Sequence, residues 1–428
     1  MMVTRISTSQ FYQNSLNGIL NQQSELTQVQ SQLSSGLAVQ TPSDNPLAAA
    51  QAVVLSQDAT MNSTFASNQD QVTNSLGAEE NALNSVTTTM QSVLQNVIAA
   101  GDSTLGDSNR QSIVTALTNL RSQLVSLANT TDSNGQYVFS GYQGATQPYQ
   151  LNSATGVVTY QGDQGQRNIQ VSQSLQVAGS DVGTDVFNRV TPGTQAYITQ
   201  AGSSNTGTGI FVPASVSVPS STNNVGKNFT VTFSAGTGAN AGQLGYTVSM
   251  IDPGNPSGPA TTTSWQAYTS GATISMPGGG VSFSVSGAPQ AGDTFTLDTP
   301  KNGVGSNMDM FQTLNNLINV LSVPSNNNAV AAAAITNSLA SANKQIQLNY
   351  DNVQTVITSI GARMNEVDAL GNTGTQLGLS DTQQLGNLLD VNMYSATSSL
   401  QLRQVALQAA IQSFSVVQNA NLFSMNAG

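Results

Sequence analysis

Apolar residues near the start of the chain recur at the spacing of a helix that packs against a partner. Between residues 12 and 37 they return mostly at intervals of three, four or seven, which is typical of an amphipathic helix or a coiled-coil strand. Gly36 stands near the end of this stripe. Beyond it, Ser43 or Asp44 can cap a new helix, and Pro46 suits that helix's first turn because its missing N–H needs no partner there.

Further helices are predicted on both sides of the chain's centre. The second helix is expected to run from Pro46 to about Ala100 and a third to follow Asp107. Near the other end we predict helices over 308–321, through 339–367 and over about 392–422. Sustained seven-residue repeats indicate seams against other helices. The heptad residues that we expect to form the core of a helical rod are Leu83, Met90, Val97, Leu117, Leu124, Ile346, Val353, Ile360 and Val367.

The centre of the chain has the pattern of short strands and turns. Residues 141–305 contain 26 of the 38 glycines, and several short strands close together favour a small antiparallel sandwich or barrel. The segments predicted as strands are 136–139, 157–160, 229–233, 246–251, 281–285 and 295–297.

Together these patterns predict an α+β protein. Its two chain ends form a long antiparallel helical rod or coiled coil, and a mainly antiparallel β domain is inserted between them. The predicted boundaries are 1–44 with 391–428 for a terminal coiled-coil assembly domain, 45–141 with 306–390 for an α-helical rod domain, and 142–305 for the inserted β domain.

Composition narrows the function. The 10 Lys and Arg and 21 Asp and Glu make up only 7% of the 428 residues, against roughly a quarter in an average soluble protein. Histidine and cysteine are absent, which excludes disulfides, thiol nucleophiles, imidazole acid–base catalysis and the usual zinc sites. The net charge of −11 argues against nucleic acid or an anionic membrane as partner. We expect no cofactor, no metal and no insertion into a membrane.

The remaining catalytic patterns are weak. Ser341 and Lys344 match S-x-x-K, in which a lysine would activate a serine, but they lie inside a helical repeat without a second motif. Glu79 and Glu80 are adjacent, so on a helix they point to different faces, and we predict a solvated face there. Two other patterns lack the spacing or context of a phosphate loop or a calcium loop, namely Gly236 with Gly238, and Asp163 with Asp181 and Asp185. We predict no enzyme.

The two chain ends are almost free of charge. Residues 1–40 contain only Arg5 and Glu25 as charges, and 391–428 contain only Arg403. Their Gln, Asn and Ser faces lose less than charges when they are desolvated, and a helix pair alone buries little. We therefore expect the ends to become ordered or firmly held only on assembly. The residues predicted to form the subunit interface are Tyr12, Leu16, Ile19, Leu26, Leu33, Leu400, Leu407, Ile411 and Phe414.

Several motifs carry a family resemblance. The segments 5–8, 33–36 and 41–46 resemble the N-terminal signature shared by bacterial flagellins and hook-associated protein 3. The Tyr-Val-Phe-Ser-Gly segment at 137–141 and the chain ending with its Leu-Gln-Ala-Ala at 407–410 resemble hook-associated protein 3 specifically. The resemblance covers roughly 1–150 and 305–428. The polar ending 423–428 departs from the pattern, and 150–227 matches nothing. Further residues and segments that resemble hook-associated proteins are Pro148, Tyr149, Asp390, Tyr394, Ala396, 421–423, and a β segment at 280–295.

The resemblance implies a structural junction protein of the bacterial flagellum, placed outside the cell between hook and filament. It implies a ring of identical subunits with hook-associated protein 1 and flagellin as neighbours. It further implies a cytoplasmic export chaperone, and export through the flagellar type III apparatus without a cleaved signal peptide. The terminal helices would then pack as concentric coiled coils around a channel, with the rod as the next layer and the β domain outside.

Two alternatives remain open. A flagellin filament subunit has the same architecture, although Arg110 and Arg121 are too well separated for the arginine-rich stretch usual in flagellins. A surface adhesin on a helical stalk belongs to another class, and Trp265, Tyr268 and Tyr246 could line its ligand patch.

Overall fold

The computed structural model describes residues 8–102, 104–217, 224–302 and 306–425. Two compact units make up the chain, one of residues 1–67 with 369–428 and the other of residues 68–368; we call them the terminal unit and the central unit. The predicted threefold division stays a prediction. The helices are α1 (Thr8–Ser35), α2 (Pro46–Ala100), α3 (Asp107–Ala128), α4 (Gly183–Phe187), α5 (Met310–Leu321), α6 (Ala329–Leu389) and α7 (Met393–Met425).

Local chemistry explains where the first two helices meet. Gly36 adopts a φ of 76° directly after α1, a left-handed conformation that glycine takes without strain. Pro46 is the first residue of α2, and the cap is Asn45, whose Oδ1 accepts the N–H of Ala48 at 3.1 Å. The predicted cap at Ser43 or Asp44 was therefore wrong by one or two residues. Asp44 instead folds the preceding turn, because its carboxylate accepts the Thr41 N–H at 2.8 Å.

Thirteen strands are found in the described part of the chain. One sheet has the order β10-β8-β7-β13-β5 with β9 also paired to β8, a second has the order β11-β12-β6, and β1–β2 and β3–β4 form two small pairs, all antiparallel. Their ranges are β1 (Tyr149–Leu151), β2 (Val158–Tyr160), β3 (Asn168–Gln170), β4 (Gln176–Ala178), β5 (Ile198–Ala201), β6 (Ile210–Val216), β7 (Asn228–Ala235), β8 (Leu244–Ile251), β9 (Thr261–Thr262), β10 (Gln266–Ala267), β11 (Thr273–Ser275), β12 (Val281–Ser286) and β13 (Thr294–Asp298).

The two larger sheets share one apolar core. Alternate residues of β7, Phe229, Val231 and Phe233, are at most 1% exposed and pack in the same cluster as Val285 of β12 and Phe295 of β13. This period of two is what a half-buried strand requires. The β domain is therefore an antiparallel sandwich, one of the two architectures predicted for it.

One predicted strand is absent. Residues 136–139 form a turn with a single bridge between Thr131 and Tyr137. Val138 and Phe139 are buried, so the apolar run was a core-filling turn and not a strand. Gly141 ends it with a φ of 73°, and an added Cβ there would lie 2.2 Å from Asp163 Oδ1. The Phe-Ser-Gly motif thus needs its glycine for both backbone conformation and space.

The residues predicted for the rod core are buried in the helices of the central unit. None of the nine heptad residues predicted for the rod is more than 3% exposed. Long helices from both ends of the chain and an antiparallel β domain inserted between them confirm the predicted fold class. The nine residues, with their exposures, are Leu83 0%, Met90 0%, Val97 3%, Leu117 0%, Leu124 0%, Ile346 1%, Val353 0%, Ile360 0% and Val367 2%.

Candidate assembly interface

Helices α1 and α7 pair with each other in the terminal unit. The rings of Tyr12 and Phe414 meet edge to face with centroids 5.3 Å apart, and Glu25 forms an ion pair with Arg403. The partner numbers fall along α7 as they rise along α1, so the two helices run antiparallel. Both ion-pair side chains are more than a third exposed, and such a pair contributes little, about 0–1 kcal/mol.

A short backbone ladder joins the ends of these helices. The Ala38 N–H donates to the Leu389 carbonyl at 2.6 Å, and the Val391 N–H donates to the Gly36 carbonyl at 2.9 Å. Leu37 and Asp390 face each other across this bridge. The segments after α1 and before α7 are therefore held together by main-chain bonds, which do not depend on side-chain identity.

The nine predicted interface residues all lie on α1 and α7, with two degrees of exposure. Leu16 and Ile411 are half exposed, at 50% and 49%. The others are half-buried: Tyr12, Ile19, Leu26, Leu33, Leu400, Leu407 and Phe414.

A second apolar stripe on α7 was missed by the sequence analysis. Leu402, Val405 and Val416 are 69%, 65% and 66% exposed. At 3.6 residues per turn they lie about 140–200° around the helix from Leu400. We call Leu402, Val405 and Val416 the outer stripe of α7. The sequence does contain a signal for this stripe. Leu402, Val405 and Val416 are spaced by three and eleven residues, and they are out of phase with the repeat at 400, 407 and 414.

The terminal unit buries almost no core of its own. Among its residues with described side chains, the buried apolar ones are Val29, Ala48, Ala52 and Ala396, three of them alanines. Burial of apolar area is the dominant favourable term in folding, and contiguous exposed apolar surface marks interaction sites. The terminal unit thus keeps most of its large apolar side chains partly or largely exposed.

Two of the candidate catalytic residues, Ser341 and Asp163, make structural contacts. The Ser341 hydroxyl donates to the Thr199 carbonyl, so it serves the contact between α6 and β5. Asp163 accepts the N–H groups of Tyr142 and Gly165 at 2.9 and 2.8 Å, which shapes a turn. Among the described residues, no three acidic, histidine or cysteine side chains come together in a group that could hold a metal ion.

The aromatic residues of the adhesin alternative also serve the β domain. The Trp265 indole donates to the Ser234 carbonyl at 3.3 Å. Tyr246 is buried and donates to Gln266, and the Tyr268 hydroxyl lies within hydrogen-bond distance of two carbonyls of the chain. Their polar tips are thus engaged within the domain.

The prediction of a solvated acidic pair was wrong for Glu79, which is buried. Its side chain is 0% exposed, and both carboxyl oxygens accept the N–H of Asp181 at 3.2 Å. Asp181 in turn forms an ion pair with Arg363 of α6, whose Nη1 donates to the Ala178 carbonyl at 3.1 Å. Burial raises the pKa of Glu79 well above its usual range, and the Asp181 charge adds to this.

We call Glu79, Asp181 and Arg363 the carboxyl cluster. It joins helices α2 and α6 to the segment that follows β4. The sequence signal for the burial of Glu79 was its place seven residues after Val72 and seven before Val86, both 0% exposed. Heptad register placed the side chain in the seam despite its charge.

Comparisons with known proteins agree with this architecture. Residues 6–144 match the bacterial flagellin N-terminal helical region. The chain is 28% identical over 422 residues to flagellar hook-associated protein 3 of Salmonella typhimurium, and 26% identical to that of Escherichia coli, with 99% of each chain covered.

Solved structures of flagellar hook-associated proteins are similar to this chain as well. The crystal structure of flagellar hook-associated protein 3 from Legionella pneumophila is 29% identical, has a TM-score of 0.66 and matches 78% of this chain and 98% of its own. A structure of the flagellar junction protein from the same organism is 27% identical with a TM-score of 0.60, and covers 79% of this chain and 100% of its own. The resemblance indicated by the motifs is confirmed: the chain is similar over almost its whole length to flagellar hook-associated protein 3, and its residues 6–144 match the N-terminal helical region of the bacterial flagellins.

Proposed function

We propose that the chain is a structural subunit of the bacterial flagellum that joins the hook to the filament, and that it acts by assembly and not by catalysis. The observation that carries the proposal is the contrast between its two units. The central unit buries a full set of large apolar residues, whereas the terminal unit exposes Leu16, Leu402, Val405 and Val416. The proposal is supported by the similarity to a solved structure described as a flagellar junction protein and to flagellar hook-associated protein 3.

The subunit interface is proposed to lie on α1 and α7. It includes the nine residues predicted from the sequence and the outer stripe of α7. A charge introduced into an exposed part of this surface is desolvated only on assembly, so it should weaken assembly without unfolding the isolated chain. The half-buried residues, such as Leu400 and Leu407, already contact their own chain, and a charge there should affect both.

The partners follow from the proposed place. Identical copies form a ring, hook-associated protein 1 lies on the hook side and flagellin on the filament side. A cytoplasmic chaperone holds the chain before export through the flagellar type III apparatus to its place outside the cell. No helix among the described residues is long and apolar enough to span a bilayer.

Deletion of the gene tests the proposal. Electron micrographs should show hooks of normal length without filaments, while flagellin appears in the culture medium, and the intact gene should restore the filaments. Two other outcomes would refute the junction role. Loss of the main filament polymer itself would indicate a flagellin, and intact filaments with weakened surface attachment would indicate an adhesin.

A further inference from the structure

The first six turns of α2 carry two largely apolar stripes. One stripe is covered within the terminal unit: Ala48 and Ala52 are buried, and Leu55, Ala59 and Asn62 are half-buried. The Asn62 amide donates to Asp381 of α6 at 3.2 Å, which shows what lies against this face. The covered stripe accounts for one side of the helix only.

The second stripe is exposed. It consists of Leu47, Ala50, Val54, Gln57 and Met61, of which Leu47, Val54 and Met61 are 70%, 58% and 37% exposed. Gln57 is its one polar member, and it carries no charge. The two stripes lie about 140° apart at 3.6 residues per turn. We call the exposed one the α2 outer stripe.

The spacing of the α2 outer stripe is that of a coiled-coil seam. Its members follow one another at three, four, three and four residues, so Leu47, Val54 and Met61 form a strict seven-residue repeat. Such a repeat keeps one face directed at a second helix along its whole length. Scattered exposed apolar residues have no such register. The stripe therefore fits a helix and not a flat or irregular surface.

The near absence of charge around the α2 outer stripe indicates what kind of helix can pack against it. Residues 46–67 contain one charged residue, Asp58, so the stripe offers no salt bridges to a charged partner, and a charged helix would lose hydration there without compensation. The chain itself has a matching surface, because the outer stripe of α7 is also apolar, exposed and free of charge. Its three residues, with the exposed Ala409 between Val405 and Val416, follow one another at three, four and seven residues, which fits the same repeat.

We propose that the α2 outer stripe is a docking surface for a second copy of this chain, which covers it with the outer stripe of its α7. The proposal rests on the proposed assembly function and adds to it a heterologous contact, in which two different surfaces of identical chains meet. A surface of that kind can repeat from copy to copy, which a ring requires. Leu47 also lies just beyond the turn that follows α1, so the stripe continues the proposed terminal interface.

The chain contains no cysteine, so single cysteines can be followed without background. We would express two variants of the chain together in a deletion strain, one with Val54→Cys and the other with Val405→Cys, so that they restore the filaments. The isolated flagella would then be treated with a short bis-maleimide. The matched control replaces Val54→Cys by Val212→Cys, because Val212 is also a valine that is 58% exposed but lies in β6. The expected result is a cross-linked dimer of this chain with Val54→Cys and none with Val212→Cys.

Charge substitution gives an independent measure. Val54→Asp should lower the number of filaments per cell about tenfold or more, since an unpaired carboxylate would be buried at the contact, with an unchanged melting temperature of the purified chain. Val212→Asp should leave the filament number within about twofold, a change too small to reflect a lost contact.

The outcomes separate the two proposals. If the wild-type gene does not restore filaments, the junction role fails, and the same cross-link is then measured in concentrated purified chain. A Val54→Cys dimer no more abundant than the Val212→Cys control overturns the docking proposal. A cross-link from Val54→Cys to a different flagellar protein overturns it as well, because the occupant is then not a second copy.

Discussion

The buried carboxyl of Glu79 makes the stability of the central unit depend on pH. Burial, and after it the negative charge of Asp181, raises the pKa of Glu79 well above the 4.5 expected in the unfolded chain. Below pH 4.5 both states hold the proton and the stabilisation is fully present. Between 4.5 and the folded-state pKa only the unfolded chain releases the proton, so the free energy of unfolding falls by about 1.4 kcal/mol per pH unit.

Glu79→Gln removes this titration and keeps the shape of the side chain. The amide oxygen can still accept the Asp181 N–H, and the amide N–H₂ can donate to the Asp181 carboxylate. We expect wild type and variant to have similar free energies of unfolding at pH 4.5. As the pH rises to 7.5 the variant should become the more stable by about 1.4 kcal/mol for each unit of pKa shift.

The assay is urea unfolding followed by circular dichroism at pH 4.5, 5.5, 6.5 and 7.5, together with amide hydrogen exchange of the segment around residue 181. Glu80→Gln is the matched control for the loss of one carboxyl from α2, because Glu80 directly follows Glu79 and is only half-buried. A Glu79→Gln variant that is about 2 kcal/mol less stable than wild type at pH 7.5, with an unchanged slope, would refute the reasoning, because the ionised carboxylate would then be the stabilising form.

Three further predictions concern core, sheet and motif. Leu83→Ala should lower the free energy of unfolding in urea by about 2–5 kcal/mol, whereas Leu402→Ala should change that of the isolated chain by no more than about 0.5 kcal/mol. Equal losses would contradict the division into core and assembly surface. Asn337→Leu should cost about 1–3 kcal/mol, because its buried amide bonds the backbone on both sides of residue 210; an unchanged melting curve would exclude this anchoring. Gly141→Ala should lower the free energy of unfolding in urea by at least about 1–2 kcal/mol from its positive φ alone. A full loss of filaments without a loss of stability would assign the Phe-Ser-Gly motif to binding.

The helices were predictable because their seams repeat in register. The predicted limits of α2 agree with Pro46–Ala100, since a proline marks its start and Gly101 follows its end. The sheet strands β7, β8, β12 and β13 were found by alternation. Residues 136–139 show the limit of that approach, because a buried apolar turn has the same composition as a strand.

The candidate site was only partly predictable. Apolar spacing showed that α1 and α7 carry seams, but it does not say which stripe is covered by the same chain and which is left open. Leu402 and Val405 were missed because a second, opposite stripe breaks the simple picture of one apolar face. Glu79 was missed for another reason, since its burial depends on the N–H of Asp181, which lies 102 residues away.

In the assembly that we propose, the terminal helices α1 and α7 are completed by other subunits. Amide hydrogen exchange of these two helices in the isolated chain, compared with that in intact flagella, is the decisive measurement. We predict rapid exchange of both helices in the isolated chain, slow exchange in flagella, and slow exchange of the heptad region of α2 around Leu83 in both. Equally slow exchange of α1, α7 and that region in the isolated chain would contradict the claim.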